Sequence, residues 1–160
     1  MRYNQLDSIV EVIPGQRLVA RRTLRAEEDY LRDHFPKFPV MPGVMMLESL
    51  FQAAMWLVRI EDGFSSALVT LREAKNVKFG DFLAPGETLE ITAEWGKIEG
   101  RLVSIKASAR KENRLTVAAR LVLEKTLTGD PDRLQTDEFI QKYSKLQFSR
   151  LFGQANLVKS

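Results

Sequence analysis

His34 is the only histidine in the chain, and it is the first candidate for acid–base chemistry because imidazole changes its charge near neutral pH. The chain also has no cysteine, which excludes disulfides, thiolate metal sites, cysteine nucleophiles and iron–sulfur clusters. A zinc site built on several histidines is excluded as well. Any catalysis must therefore use His34, carboxylates, hydroxyls or lysines.

Glu48 is the second candidate, because it lies in the second turn of an apolar segment, residues 43–60. A carboxylate buried there needs a hydrogen-bonding or charged partner. Gln52 lies four residues further on the same helix face and is placed to donate that hydrogen bond. Periodicity leaves a second interpretation equally open, in which Glu48 faces solvent through a gap in the surrounding structure.

Gly43 is the third candidate, at the expected start of the same helix. A helix N-terminus offers unpaired amides and a partial positive charge, and a glycine lets a ligand approach the backbone closely. Such donors stabilise an oxyanion, so His34, Glu48 and Gly43 together suit proton abstraction beside a carbonyl. Two plainer interpretations remain: Gly43 only permits tight packing, and a lone histidine is more often a surface or packing residue.

A proline-rich loop must position these groups. Prolines at 36, 39 and 42 remove amide donors and keep the backbone extended, which predicts an ordered loop that carries His34 to the start of the helix. Residues 43–60 are rich in good helix formers and apolar on nearly every face, which predicts a helix surrounded by other structure. Fourteen residues separate His34 from Glu48, so they can meet within one chain or between chains.

The rest of the chain predicts strands, with an antiparallel meander after the helix. The expected strands are residues 17–25, 66–71, 73–79, 88–95, 102–109 and 115–123, with a strand or helical turn at 6–13 and turns at 84–86, 96–100 and 111–113. A sheet that wraps one long helix is an α+β architecture.

The length of 160 residues, 44% of them hydrophobic, indicates an ordinary globular chain with one main domain. We assign it to residues 1–128 and expect a helical extension over residues 129–160. Thr136 should cap the extension's helix, which should pack on the body or on a partner rather than act as a mobile lid. Its apolar residues are Phe139, Ile140, Tyr143, Leu146 and Phe152.

The net charge of +3 is too small to indicate nucleic acid, and the absence of a targeting segment or a membrane span predicts a cytoplasmic protein.

The loop and helix carry a family resemblance. The stretch HFPKFPVMPGV from His34, followed by LESLFQA from Leu47, closely resembles the signature of the β-hydroxyacyl-[acyl-carrier-protein] dehydratases of type II fatty-acid synthesis, HFPGxPxMPGV…LEAxAQ. Phe79 and the segment at 84–89 resemble that family's later strand and turn. The resemblance covers roughly residues 5–127.

This resemblance implies the hot-dog fold and a homodimer whose sheets join edge to edge. It further implies an active site at the dimer interface, with the catalytic histidine, His34, from one chain and the catalytic carboxylate, Glu48, from the other. Gly43 would bind the thioester oxygen and Gln52 would support Glu48. Phe38, Val40 and Phe79 are candidates for the acyl-binding wall, with Met41, Phe51 and Phe82 as further ones. For any one of these apolar residues, packing in the core is the preferred interpretation.

The implied partner is an acyl carrier protein that bears a 3-hydroxyacyl thioester, and the reaction needs no metal or cofactor. Some basic residues are candidates for docking this acidic carrier, although for most of them a solvated surface is the preferred interpretation: Lys37, Lys75, Lys78 and Arg110. Asp33 and Lys37 stand where the family usually has glycine, and Glu rather than Asp at 48 favours the simple dehydratase branch. The alternatives are a hot-dog acyl thioesterase and a non-catalytic subunit that binds an acyl carrier.

Overall fold

A computed structural model describes residues 4–66, 68–126 and 134–153. The elements are β1 (Ser8–Ile13), β2 (Arg17–Thr23), α1 (Gly43–Glu61), β3 (Leu68–Phe79), β4 (Thr88–Glu99), β5 (Leu102–Lys111), β6 (Arg114–Thr126) and α2 (Leu134–Phe152). A 3₁₀ turn, Asp29–Arg32, precedes the proline-rich loop.

The strands form one six-stranded antiparallel sheet in the order β1-β2-β4-β5-β6-β3. Helix α1 contacts five of these strands and shares one core with them, because alternate strand residues are apolar and point toward it. The prediction of a long helix packed on an antiparallel meander is confirmed, and so is the α+β class. By length and composition alone α1 could cross a membrane, but most of it is buried inside the protein, as expected of a core helix.

The sheet departs from the predicted strands in two places. The two segments predicted at 66–71 and 73–79 form a single strand, β3, which contains irregularities rather than a break. The predicted turn at 96–100 is wrong, since β4 continues to Glu99. Gly96 therefore lies inside the strand. A Cβ at this position would lie 2.5 Å from the carbonyl oxygen of Ser104, so only glycine allows the two strands to approach this closely.

Helix α2 begins at Leu134, two residues before the predicted cap Thr136, and ends at Phe152, before Gly153 with its positive φ. Its C-terminal half contacts the body: the ring centroid of Phe148 lies 6.0 Å from that of Trp56 and 5.6 Å from that of Phe64. The predicted apolar face is therefore only partly correct. Phe152 is buried, but Phe139, Tyr143 and Leu146 are exposed.

The two ends of the sheet differ. Helix α2 contacts β1, which is one edge strand. The other edge strand, β3, is exposed along most of its length and carries several exposed apolar side chains: Leu68, Leu71, Val77 and Phe79. Residues 127–133 lie outside the described residues, so the domain boundary at 128 stays a prediction.

Candidate active site

The loop before α1 holds His34 by two hydrogen bonds to one residue. The Val40 amide donates to the His34 carbonyl oxygen over 2.9 Å, and the His34 Nδ1 lies 3.1 Å from the Val40 carbonyl oxygen. Between them, Phe35 and Phe38 exchange amide–carbonyl bonds in a tight turn. The Met41 amide donates to the Leu83 carbonyl oxygen over 2.9 Å, which connects the loop to the segment between β3 and β4.

The contact with Val40 determines the tautomer of the neutral His34 imidazole. A carbonyl oxygen only accepts hydrogen bonds, so the Nδ1 of His34 must carry the proton that faces Val40. In the neutral ring the lone pair then lies on Nε2, and that nitrogen is free to accept a proton. Phe35 stacks on the imidazole with ring centroids 4.4 Å apart, and the peptide bond between the two residues is cis.

A pocket of about 240 Å³ opens beside His34. Its lining consists of His34, Val40, Met41, Gly43, Met46, Phe79, Asp81 and Phe82. Six of the predicted site residues therefore meet in one place: His34, Val40, Met41, Gly43, Phe79 and Phe82. The wall is mainly apolar apart from His34 and Asp81, which is the character of a site for an acyl chain with a polar reacting end.

Gly43 brings backbone donors to this pocket. The Met45 and Met46 amides both donate to the carbonyl oxygen of Pro42, whereas the Gly43 amide has no acceptor among the described residues. This unpaired N–H lies at the positive end of α1. A Cβ on Gly43 would lie 3.0 Å from two ring atoms of Phe79, so glycine keeps the amide and the aromatic wall close together.

Phe38 lies just outside this lining. Its exposed ring makes an edge contact with Phe82, with centroids 6.1 Å apart, so it adjoins the pocket wall at Phe82. Asp33 and Lys37, the two departures from the family pattern, are both exposed. Among the further apolar candidates, Phe51 packs against the core instead.

Glu48 and Gln52 do not line the pocket of His34. Glu48 is half-buried, and Gln52 donates from Nε2 to its Oε1 over 3.1 Å, as the four-residue spacing predicts. The Oε1 of Gln52 accepts the Gln5 amide over 2.7 Å. Five residues of helix turn about 500°, so Glu48 projects from a different side of α1 than Gly43. One chain therefore does not bring the histidine and the carboxylate together.

Lys111 holds the far wall of the pocket. Its Nζ donates to the Phe82 carbonyl oxygen over 2.8 Å and pairs with Asp81 and Glu87 at 3.3 and 3.1 Å. The Phe82 amide and the Lys111 ammonium lower the pKa of Asp81, so it stays ionised at neutral pH. Sequence reasoning missed Asp81 and Met46, because Met46 is one of many apolar residues of α1 and Asp81 is a polar residue of an irregular segment, so neither belongs to a recognisable motif.

Comparison with known proteins decides the family. The model of the ApeI-like family, described as ApeI dehydratase, matches residues 11–119, which include His34, Gly43 and Glu48. The chain belongs to the ApeI-like dehydratase family. It is therefore an enzyme of the hydro-lyase class, and the predicted resemblance to dehydratases is confirmed.

Curated relatives agree with membership of this dehydratase family. The 3-hydroxyacyl-[acyl-carrier-protein] dehydratase FabZ of Enterococcus faecalis is 33% identical over 116 residues, which cover 72% of this chain and 82% of the relative. The enzyme of the same name from Lactobacillus helveticus is 29% identical over 128 residues, which cover 80% and 84%. The matched family segment ends before α2, so the comparison says nothing of that helix.

Solved structures show the fold. The dehydratase heterocomplex ApeI:P from Xenorhabdus doucetiae matches with a TM-score of 0.64 and 17% identity, over 83% of this chain and 90% of that chain. The uncharacterized protein PH1136 from Pyrococcus horikoshii matches with a TM-score of 0.59 and 13% identity, over 78% and 85%. The hot-dog fold predicted for the ApeI-like dehydratase is thus confirmed.

Proposed function

We propose that the protein dehydrates a 3-hydroxyacyl thioester, carried on acyl carrier protein, to the trans-2-enoyl thioester, as a step of fatty-acid synthesis in the cytoplasm. One observation carries the proposal: the Nδ1 of His34 is occupied by the Val40 carbonyl, which leaves Nε2 as the base in a pocket that also holds the Gly43 amide. The curated relatives bear the names of enzymes with this substrate.

Each group then has one role in the reaction. Nε2 of His34 takes the α-proton, and the Gly43 amide stabilises the negative charge that develops on the thioester oxygen. The electron pair forms the double bond between Cα and Cβ while the bond from Cβ to the hydroxyl oxygen breaks. Glu48 gives that oxygen a proton, so water leaves. Gln52 occupies Oε1 of Glu48, and Oε2 remains to face the hydroxyl.

The carboxylate comes from a second copy of the chain in this proposal. Within one chain Glu48 lies outside the pocket of His34, and Phe79 connects the pocket to the exposed edge strand β3. A long edge strand with exposed apolar side chains invites pairing with another strand. A partner's β3 laid along this edge would bring its own α1 toward the pocket and supply Glu48. The acyl chain would then lie along Val40, Phe79 and Phe82.

Mixing two inactive variants tests both the residues and the sharing. His34→Ala and Glu48→Gln should each remove most formation of enoyl thioester, followed by its ultraviolet absorbance, with the fold retained. In a mixed dimer of the two variants, one site keeps both intact residues. Random mixing should therefore restore about a quarter of the wild-type activity, because half of the dimers are mixed and each has one good site of two.

A matched control is Glu94→Gln, which changes an exposed glutamate on β4 and should leave the rate unchanged. If the mixed sample stays inactive while both variants fold and assemble, the two residues do not share a site across the interface. If either single variant keeps the wild-type rate, the role proposed for that residue is wrong. Release of free thiol without enoyl product would indicate a thioesterase instead.

A further inference from the structure

A chain of buried polar groups leads from Glu48 across the protein to β2. Gln52 hydrogen-bonds both Glu48 and the backbone N–H of Gln5. The side-chain Oε1 of Gln5 in turn accepts a hydrogen bond from Nη2 of Arg22 over 3.2 Å. Arg22 is 0% exposed, and Gln5 and Gln52 are buried as well. Buried polar groups are costly unless they are paired, so a continuous network of this kind holds each member in one orientation.

The backbone N–H of Gln5 determines the orientation of the Gln52 side-chain carboxamide. A carboxamide can present either its oxygen or its NH₂ group to a neighbour. The Gln5 N–H only donates, so it selects the Oε1 side of Gln52, at 2.7 Å. The NH₂ group must then face Glu48, where it donates to the carboxylate. With Gln52 reversed, its oxygen would confront the carboxylate of Glu48, and the hydrogen bond would be lost.

Arg22 in turn holds Gln5. Its Nη1 donates to the Thr23 carbonyl oxygen over 2.7 Å and to Oε2 of Glu28 over 2.9 Å, and Nη2 also pairs with Glu28 and with the Tyr30 hydroxyl. The guanidinium is planar and rigid, so the contacts of Nη1 with Thr23 and Glu28 direct Nη2 toward Gln5. The Nε of Arg22 is buried and has no partner among the described residues. Arg22 thus anchors the segment before β1 against α1.

We infer that Gln5 and Arg22 are positioning residues for the dehydration reaction, which act through Gln52 to hold the Glu48 carboxyl group, in its acid form, in the orientation that protonates the leaving hydroxyl. The inference rests on the proposed function, because it assumes that Glu48 reacts. Neither residue lines the pocket of His34, so their effect should fall on the chemical step rather than on binding. Losing one such hydrogen bond should lower kcat about 3- to 10-fold and change KM less than about twofold.

The test uses Gln5→Met and Arg22→Met, each in the wild-type protein and in Gln52→Met. Both should lower kcat in the wild-type background and change it less than about twofold in Gln52→Met, since the mediator is already gone. Arg59→Met is the matched control. It removes a second buried arginine, which lies in α1 about 16 Å along the helix axis from Glu48, and it should leave kcat unchanged. Rates are normalised to folded dimer, and Gln5→Met answers the question if Arg22→Met does not fold.

The outcomes separate the inference from the proposed function. If Glu48→Gln is inactive but Gln5→Met and Arg22→Met keep the wild-type kcat, the inference is overturned and the proposed function stands. An equal loss of kcat in both backgrounds, or a similar loss in Arg59→Met, also overturns it, because the effect would not pass through Gln52. If Glu48→Gln keeps the wild-type rate, the assigned role of Glu48 fails first, and the inference fails with it.

Discussion

Replacing Gly43 by proline would put the ring Cδ in place of the amide hydrogen that faces the site, and it would add a Cβ. Gly43 is the first residue of α1, and its amide has no acceptor among the described residues, so no helical hydrogen bond is lost. Proline fixes φ near the helical value and suits this first position. The preceding residue, Pro42, has ψ of 143°, which is the extended conformation that a following proline requires.

Alanine at the same position is the control for added bulk. Its Cβ would lie 3.0 Å from two ring atoms of Phe79, as would that of proline. Phe79 is 55% exposed, so its ring can move by the few tenths of an ångström that are needed. We therefore expect both variants to unfold within about 1 kcal/mol of the wild type in urea titrations. Both should share any loss that comes from shifting Phe79.

The difference between the two variants then measures the loss of the amide hydrogen together with the Cδ that replaces it. Removing one oxyanion donor lowers kcat by about 10²–10³-fold, equivalent to about 3–4 kcal/mol. Gly43→Pro should fall below Gly43→Ala by that factor when enoyl thioester formation is followed under saturating substrate. If a folded Gly43→Pro protein matches the kcat of Gly43→Ala, the amide does not stabilise the developing charge, and the site needs another oxyanion donor.

Two further predictions concern stability and assembly. Burial raises the pKa of Glu28, but hydrogen bonds from Arg22, Tyr30 and the Arg25 amide outweigh it and lower the pKa to about 2. Because the folded-state pKa is below the unfolded one, this stabilisation holds above about pH 5 and is lost as the pH falls toward 2, by about 1–2 kcal/mol after solvent screening. Glu28→Gln should flatten that part of the unfolding profile, and an unchanged pH dependence would contradict this account. Lysines at Leu71 and Val77 of β3 should convert the dimer to monomer in sedimentation and abolish activity; an active monomer would refute the shared site.

The sequence predicted those features that depend on local pattern. Three prolines and the apolar run after Pro42 were enough to predict the loop and α1, because proline geometry and helix propensity act within a few residues. Gln52 meets Glu48 as the four-residue spacing requires. Alternation in β2 also held an unused signal, since Leu18, Ala20 and Arg22 all face inward and the last of them carries a charge.

Other features depend on contacts that no local pattern records. Helix α2 has two opposite apolar faces. Phe139 and Phe148 are nine residues apart, which is about two and a half turns, so their side chains leave the helix on opposite sides. Either face suits packing, and only the position of α1 and the segment after it selects the one that contains Phe148. The pairing of Gln5 with Gln52 spans 47 residues and rests on a backbone amide, which has no side-chain signature in the sequence.

The aromatic wall of the pocket shows how such a nonlocal feature arises. In β3, Lys75 pairs with Arg120 and Lys78 with Ala118, so β3 holds one residue more than β6 over this interval. The extra residue is a β-bulge, with Asn76 at φ +54°. Side chains alternate along a strand, so one added residue moves all that follow to the opposite face. Phe79, four residues after Lys75, would otherwise share the face of that lysine. The bulge instead turns Phe79 onto Gly43, and it thereby links the exposed edge of the sheet to the pocket of His34.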